Sequence, residues 1–535
     1  MPPETQSSQA WKPRFNPWVI AITVTLATFM EVLDTSIANV ALPHIAGTMG
    51  ASQEEATWVL TSYLVSNAIV LPASAYFSNL IGRKKFYMTC VALFGISSLL
   101  CGIAPTLPLL LFFRVLQGIG GGGLAPSEQA ILADTFEPKK RGQAFALYGL
   151  AVVFAPAIGP TLGGWITDNF DWRWIFFINV PVAILSLYLT HKVVEDPPHI
   201  QKEVEETKKK GFRLDYIGFS LIALSFGTLE VILDKGQEDD WFGSPFITIF
   251  FVICVVAMIS LIVWSLWQIR RKKTAILDLT LFRNRTFGLS FVMMFMLGIA
   301  LYGTTVLIPQ LLQSLMGYTA ETAGLALSLG GIVTIICMPV VGILIGKMDA
   351  RYLLATGFLI MGFSLVHMHG LDLTMSFSYA SSLRAFQAAS LGFLFVPLNT
   401  MSYTDVPGDK NNDVSGLINL ARNIGGSAGT ALVTTMLARQ SQRHQVFLID
   451  RVFSNNPALA RQLDGLTHRF SHAGSSLSTA ANQAHLQIYE SLQRQAAVLA
   501  YLDIIEYLAI GSLLMVPLVF LMKKRKAGGG EVMAH

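Results

Sequence analysis

Two acidic side chains, Glu31 and Asp34, stand inside "FMEVLDTSIANVALP" (29–43), a stretch whose other residues are mostly apolar. At about 100° per residue on a helix, Thr28, Glu31, Asp34, Thr35 and Asn39 fall within an arc of about 140°, while Phe29, Val32, Leu33 and Val40 lie largely elsewhere. Depth brings a cation to the same level. Asp34 lies nine residues before Pro43, and Arg114 lies seven after Leu107 on another apolar stretch, so at ~1.5 Å per residue both sit about 10–14 Å from one boundary. A buried carboxylate beside a guanidinium is pulled two ways, because loss of water favours its neutral form and the cation favours its charged form. Hydration or a bound guest then shifts the balance, which lets such a group load and release a proton. A fixed structural ion pair is the alternative.

Bulk composition says what must hold these residues. The 535-residue chain is 53% hydrophobic and 13% charged, with a mean hydropathy of +0.52. That is more apolar surface than a water-soluble fold of ordinary proportions hides. Apolar blocks long enough to cross a ~30 Å hydrocarbon layer recur at 17–41, 57–80, 85–104, 107–133, 141–167, 174–192, 215–235, 245–269, 286–312, 321–346, 351–370, 375–401, 411–438 and 498–522. At that depth the backbone satisfies its hydrogen bonds only within helices, so the sequence predicts an all-α integral membrane protein with fourteen transmembrane helices. An acid there costs about 2.5–3.5 kcal/mol on insertion scales, which marks Glu31 and Asp34 for function.

Basic residues set the orientation. They collect in "GRKK" (82–85), "KKR" (139–141), "RRKK" (270–273) and "KKRK" (523–526), whereas the short loops at the opposite end carry only Arg173 and Lys235. Lys and Arg resist translocation, so both termini are expected in the cytoplasm. The net charge of +4 reports this topology and contact with anionic membrane lipids, and no basic patch studded with aromatics suggests nucleic acid. The polar first 16 residues lead into a span too long for a signal-peptide core, which reads as an uncleaved anchor. Cys90, Cys101, Cys254 and Cys337 lie in spans without metal or redox spacing.

The charged stretch 193–213 divides the chain. Residues 1–192 read as a six-helix half, 193–285 as a cytoplasmic linker with two inserted helices, and 286–535 as a second six-helix half with a long outer segment, 439–497. "FRVLQGIGGGGLAP" (113–126) and "LRAFQAASLGFLFVP" (383–397) share Arg, Gln three residues on, small residues and a Pro, as an internal repeat would leave them.

Other motifs carry two readings each. "GIGGGG" lacks a preceding strand and a Lys-Ser/Thr ending, so close helix packing explains it better than phosphate binding. In "FAPAIGPTLGG" (154–164), Pro156 and Pro160 remove helical hydrogen bonds while Gly159, Gly163 and Gly164 permit tight contact, giving a packing face that can bend as a gate. Glu128 lies fourteen residues after Arg114, either lining a cavity lower down or pairing near the inner interface. Glu230 and Asp234 read as interfacial, and Arg422 as a cavity cation of the second half. His367 and His369 are two apart, on different helix faces, and a metal site is not expected.

"LDTSIANVALP" (33–43), "RVLQGIGGG" (114–122), "APAIGPTLGG" (155–164) and "WRWIFFINVP" (172–181) together resemble the fourteen-helix drug:proton antiporters of the major facilitator superfamily. "LDKGQEDDWF" (233–242), "LDLTLFRNRTF" (277–287), the long outer segment and the glycine-rich tail are similar to the EmrB-type inner-membrane subunits. The resemblance implies a major facilitator fold in a bacterial inner membrane, exporting hydrophobic toxic compounds against proton entry, with no cofactor beyond the proton gradient. It places the coupling carboxylate at Asp34 with Glu31 as helper, the cation at Arg114, and the sealing motif at Gly159, Pro160, Gly163 and Gly164. Thr35, Asn39, Gln117, Tyr148 and Phe154 become candidate cavity residues. The segment 439–497 would meet a periplasmic adaptor leading to an outer-membrane channel. "AYFSNLIGRKK" (75–85) departs from the family pattern, with Ala75 and Asn79 where Gly and Asp are usual, which leaves the inner-gate ion pair without that Asp, although Gly82 and Arg83 remain. A proton-linked importer of a small metabolite shares this fold but lacks the glycine-proline motif. A receptor or enzyme is disfavoured because no nucleophile with a base, metal site or nucleotide site falls within the spans.

Overall fold

The computed structural model describes residues 13–209, 215–271, 275–370, 375–449 and 457–524. The glycine-rich tail, the ends of "RRKK" and "KKRK", and the last residues of the charged linker lie outside the described residues, as does the side chain of His369. Among the described residues the regular structure is helical throughout.

Eight helices form the first half: α1 (Pro17–Met49), α2 (Gln53–Ile81), α3 (Arg83–Gly102), α4 (Leu107–Gly121), α5 (Leu124–Thr135), α6 (Arg141–Asn169), α7 (Trp174–Phe177) and α8 (Asn179–Val193). The linker helix α9 (Pro198–Lys209) and the inserted pair α10 (Tyr216–Lys235) and α11 (Pro245–Arg270) follow. The second half holds α12 (Arg285–Ser314), α13 (Ala320–Leu344), α14 (Ala350–His367), α15 (Phe377–Ser402), α16 (Asn411–Ile449), α17 (Pro457–His472) and α18 (Leu477–Val519). Polar caps start several of them. Asn16 accepts from Trp18 N at 2.9 Å, and Ser52 and Glu55 form a reciprocal capping box ahead of α2, satisfying amides that a helix start leaves bare.

Taking α4 with α5 and α7 with α8 as single segments, twelve helices among the described residues are long and apolar enough to cross a membrane. The sequence reading counted two more, at 375–401 and 411–438. They exist as α15 and α16, of 26 and 39 residues, but Ser, Gln, Asn and Arg side chains lower their hydropathy. These polar faces turn inward: α15 packs on α13 and α14, and α16 on α12, α18 and α2. The fourth apolar stretch was expected to be one helix and is two, interrupted at Gly122 and Gly123, where consecutive glycines weaken helical preference. A Cβ on Gly120 would lie 2.7 Å from Phe94 N, and one on Gly122 2.7 Å from Asn67 O, so the glycines let this helix close on α3 and α2.

At the end that carries "GRKK" and "KKR", the two halves touch through polar side chains. Asn412 donates to Asn79, and Asn411 Nδ2 donates to Asp134 Oδ1 at 2.6 Å. Arg83 pairs with Asp134. Asp134 is thus an acid that pairs with Arg83 at this end, while Asn79 bonds Asn412 as a neutral amide. Deeper in, Gln129 Nε2 donates to Asn399 (2.9 Å), Asn419 Nδ2 to Gln129 (2.9 Å), and Tyr148 to Asn419 (2.9 Å). Nearer the opposite end Asn423 reaches Asn67 at 3.1 Å, and beyond it α10 stands beside both α2 and α16. There Thr61 donates to Asp234, Lys235 to Thr57, Ser427 to Glu230 at 2.5 Å, and Trp241 Nε1 to Thr435 at 3.1 Å. Glu230, expected at an interface with water, is instead buried between the halves, because Ser427 faces it from α16.

The basic end is thus closed. In a background without the native cysteines, Asn79→Cys with Asn412→Cys should cross-link on mild oxidation and stop transport until reduced. Failure of this pair to cross-link in membranes would contradict the closed geometry.

Candidate functional site

The site grows from helix α1, whose residues near Asp34 are small enough for neighbours to approach. Asp34 is 2% exposed and Arg114 fully buried. Arg114 Nη1 lies 2.7 Å from Asp34 Oδ2, so the separation read from sequence depth closes into contact. Oδ1 accepts from Gln117 Nε2 at 3.0 Å and from Asn179 Nδ2 at 2.7 Å. All three partners donate, which is the set an ionised carboxylate fits. Arg114 is fixed in turn: Nε donates to Val59 O (2.9 Å), Nη1 to Gln117 Oε1 (2.8 Å), and its plane lies 4.5 Å from the Tyr63 ring centre. Asn179 is oriented by Ser98 Oγ at 3.0 Å. Asp34 of α1 is thus held by side chains of α4 and α8, while α2 fixes Arg114 and α3 orients Asn179.

Glu31 lies one turn toward the basic end. Its Oε1 accepts from Tyr63 and Asn67, each at 3.2 Å, and its Oε2 is sealed with no partner. Glu128 repeats the pattern: Thr25 donates to Oε1 at 2.5 Å, and Oε2 is sealed and bare. It was expected either to line a cavity or to pair near the inner interface. Instead it is fully buried against α1, with no cation in contact.

The remaining candidates separate into accessible and sealed groups. Asn39 is exposed, and Thr35 and Phe154 are half-buried, though Thr35 spends its hydroxyl on Val32 O at 2.9 Å. Gln117 belongs to the ion-pair cluster and does not line open space. Tyr148 is fully buried, bonded to Asn419 and receiving Arg422 Nη1 at 2.6 Å. Tyr148 and Arg422 thus bond to each other across the seam between the halves.

In α6 the glycine-proline motif meets α1 just beyond Asp34. Ser36 Oγ donates to Pro156 O at 3.4 Å, a Cβ on Gly159 would collide with Ser36, and one on Gly163 would lie 3.1 Å from Ile37 Cγ2. Gly164 departs from the expectation of tight contact, since a Cβ there meets nothing within 4 Å. Thr161 and Phe154, from the same helix, meet Gly324 and Gly331 of α13. So α6 lies between the helix that carries Asp34 and the opposite half.

Sequence reasoning missed Asn179, Tyr63 and Asn67. Asn179 is conspicuous in "WIFFINVP" as a single amide among apolar residues, and Tyr63 and Asn67 are spaced four apart on one helix face. That spacing was the available signal.

The model of the Major Facilitator Superfamily matches residues 24–430. The chain is 35% identical to the multidrug export protein EmrB of Escherichia coli K12 over 522 residues, covering 97% of this chain and 98% of that one. It is 33% identical over 533 residues to the fatty acid resistance protein FarB of Neisseria gonorrhoeae, covering 99% of each. Among solved structures, the proton:xylose symporter XylE superposes with a TM-score of 0.53 at 16% identity, over 80% of this chain and 89% of that one.

The glycine contacts give a graded expectation. Gly159→Ala should impair drug export strongly and lower stability by about 1–3 kcal/mol through overpacking against Ser36, whereas Gly164→Ala should be tolerated in both assays. Equal effects in resistance and thermal-melting measurements would contradict the packing described.

Proposed function

The chain belongs to the major facilitator superfamily as a multidrug-efflux transporter, and on that premise we propose that it exchanges hydrophobic drugs for protons, with Asp34 as the coupling carboxylate. The observation that carries this reading is the sealed cluster of Asp34, Arg114, Gln117 and Asn179 on the helix that packs against the glycine-proline motif. The basic end faces the cytoplasm, both termini lie there, and fourteen crossings span the inner membrane. The conformation described is closed inside, with Asn39 exposed toward the periplasm.

Protonation of Asp34 removes the charge that holds Arg114, Gln117 and Asn179. The freed donors need other acceptors, and α1 shifts against Gly159 and Gly163, so that α6 moves relative to α13. Hydrogen bonds made by the asparagine side chains at the basic end then give way to bonds with water, and the cavity opens inward. There a drug enters among Thr35, Asn39, Phe154 and, once unsealed, Tyr148 and Arg422. The proton leaves as Arg114 recaptures the carboxylate. Glu31 and Glu128, each with one bare oxygen, are further stations on the proton's path. Each inward charge brings ~2.3 kcal/mol per 100 mV. The long helices α16 and α18, with α17 packed on α18, project toward a periplasmic adaptor that continues to an outer-membrane channel. At about 1.5 Å per residue, the 43 residues of α18 exceed any bilayer.

Purified protein should release protons when a hydrophobic drug is added, and Asp34→Asn should abolish that release and reduce uphill export in vesicles at least tenfold. Uphill export that survives in Asp34→Asn would overturn the coupling assignment.

A further inference from the structure

The second half rebuilds the cluster of the first with one part missing. Arg384 Nη1 donates to Gln387 Oε1 at 2.5 Å, as Arg114 Nη1 does to Gln117 Oε1 at 2.8 Å. Gln387 Nε2 donates to Thr304 Oγ1 at 2.8 Å, as Gln117 Nε2 does to Asp34 Oδ1 at 3.0 Å. Arg384 Nη1 also reaches Thr304 Oγ1, at 3.4 Å. Each partner, Asp34 or Thr304, comes from the first helix of its half. The repeat glimpsed in "FRVLQ" and "LRAFQ" is therefore a repeat of side-chain geometry, in which a neutral hydroxyl replaces the carboxylate.

That replacement leaves a buried cation without a counter-charge. Arg384 is 7% exposed, and among the described residues its hydrogen bonds go to Gln387 and Thr304 alone. No Asp or Glu among the described residues pairs with it. An uncompensated guanidinium in such a place is costly unless something completes it. Among the described residues its Nε and Nη2 find no hydrogen-bond partner, yet they are not sealed as Arg114 Nη2 is. These two N–H groups lie on one edge of the guanidinium, the edge that grips a carboxylate with two parallel bonds. The stem of Arg384 packs on Gly330, where a Cβ would lie 3.0 Å from its Cγ. The next residue, Gly331, abuts the half-exposed ring of Phe154 from the opposite half. Arg384 and Phe154 thus approach successive residues of the same helix, α13, from the two halves.

We propose that Arg384, with Thr304 and Gln387, is an anion-receiving subsite that binds the acid group of amphipathic carboxylate substrates while their apolar bodies lie toward Phe154. The substrate supplies the negative charge that the second half lacks. This deepens the export reading above and rests on it. Thr304 keeps the subsite empty of an internal carboxylate, and Gln387 fixes the guanidinium so that its free edge stays turned outward. Neutral drugs use the same cavity without this contact.

Two probes with one apolar body isolate the charge: pyrenebutyrate and its primary amide, titrated by fluorescence into the full-length protein in nanodiscs. The wild type should bind the acid at least tenfold more tightly than the amide. Arg384→Gln should bring that ratio close to one. Thr304→Asp keeps the cation but gives it an internal partner like that of Arg114, and it should also bring the ratio close to one, so the test does not depend on how Arg384→Gln folds. A wild-type ratio near one with both probes bound, or a preference that survives Thr304→Asp, overturns the proposal alone. Absence of binding by both probes overturns it together with the export reading.

Discussion

A guanidinium and a carboxylate held 2.7 Å apart with almost no access to water is the constraint around which the first half is built. Losing either partner in such surroundings leaves a charge uncompensated, typically a penalty of ~3–5 kcal/mol. The neighbourhood accordingly sets donors against both oxygens of Asp34 and acceptors against Nε and Nη1 of Arg114, with Nη2 left sealed and bare: Gln117 donates and accepts, Asn179 donates, and Val59 O accepts. The pair lies wholly within one half. A rigid tilt of the halves need not disturb it, so its influence on the rest of the molecule passes through α1 and the glycine-lined contact with α6.

Bonds between the halves are of another kind. Asn79 with Asn412, Gln129 with Asn399 and Asn419, Tyr148 with Asn419, and Asn67 with Asn423 join neutral groups. None of the cross-half hydrogen bonds described above joins two formal charges. A neutral bond is worth about 0.5–1.5 kcal/mol net, because water replaces it readily. Ion pairs thus shape each half internally, whereas the bonds described between the halves are hydrogen bonds with at least one neutral partner, two of them charge-assisted, from Asn411 to Asp134 and from Arg422 to Tyr148. That division suits an interface that must open repeatedly.

The charged members of the site were legible because a carboxylate or guanidinium in an apolar block is conspicuous, and helical rise converts residue number into depth. Asp34 and Arg114 could be paired on that basis. Amides give a weaker signal. Asn179 stands alone among apolar neighbours and Asn67 lies four residues from Tyr63, but only the fold brings them to Asp34 and Glu31. Glu128 carried a signal, but its surroundings did not: nothing in its own helix announced Thr25 of α1 as its neighbour. The spans at 375–401 and 411–438 were readable by spacing although they are polar, since their hydrophilic faces find partners on other helices. Their polarity is itself a mark of the seam. The interruption at Gly122 and Gly123 followed from local preference and was overlooked because the apolar run continues through it.

The inserted helix α10 is fastened on both sides at once, through Thr57 and Thr61 on α2 and through Ser427 on α16, while Trp241 just beyond it reaches Thr435. A hinge spanned by such a brace has limited travel. If the outer mouth narrows, α10 must be squeezed outward into lipid, and if it widens, one set of fastenings must let go. If the halves rock as proposed, the bilayer's lateral pressure would enter the energetics of the cycle through this helix, and the fit of the insertion would depend on the membrane around it.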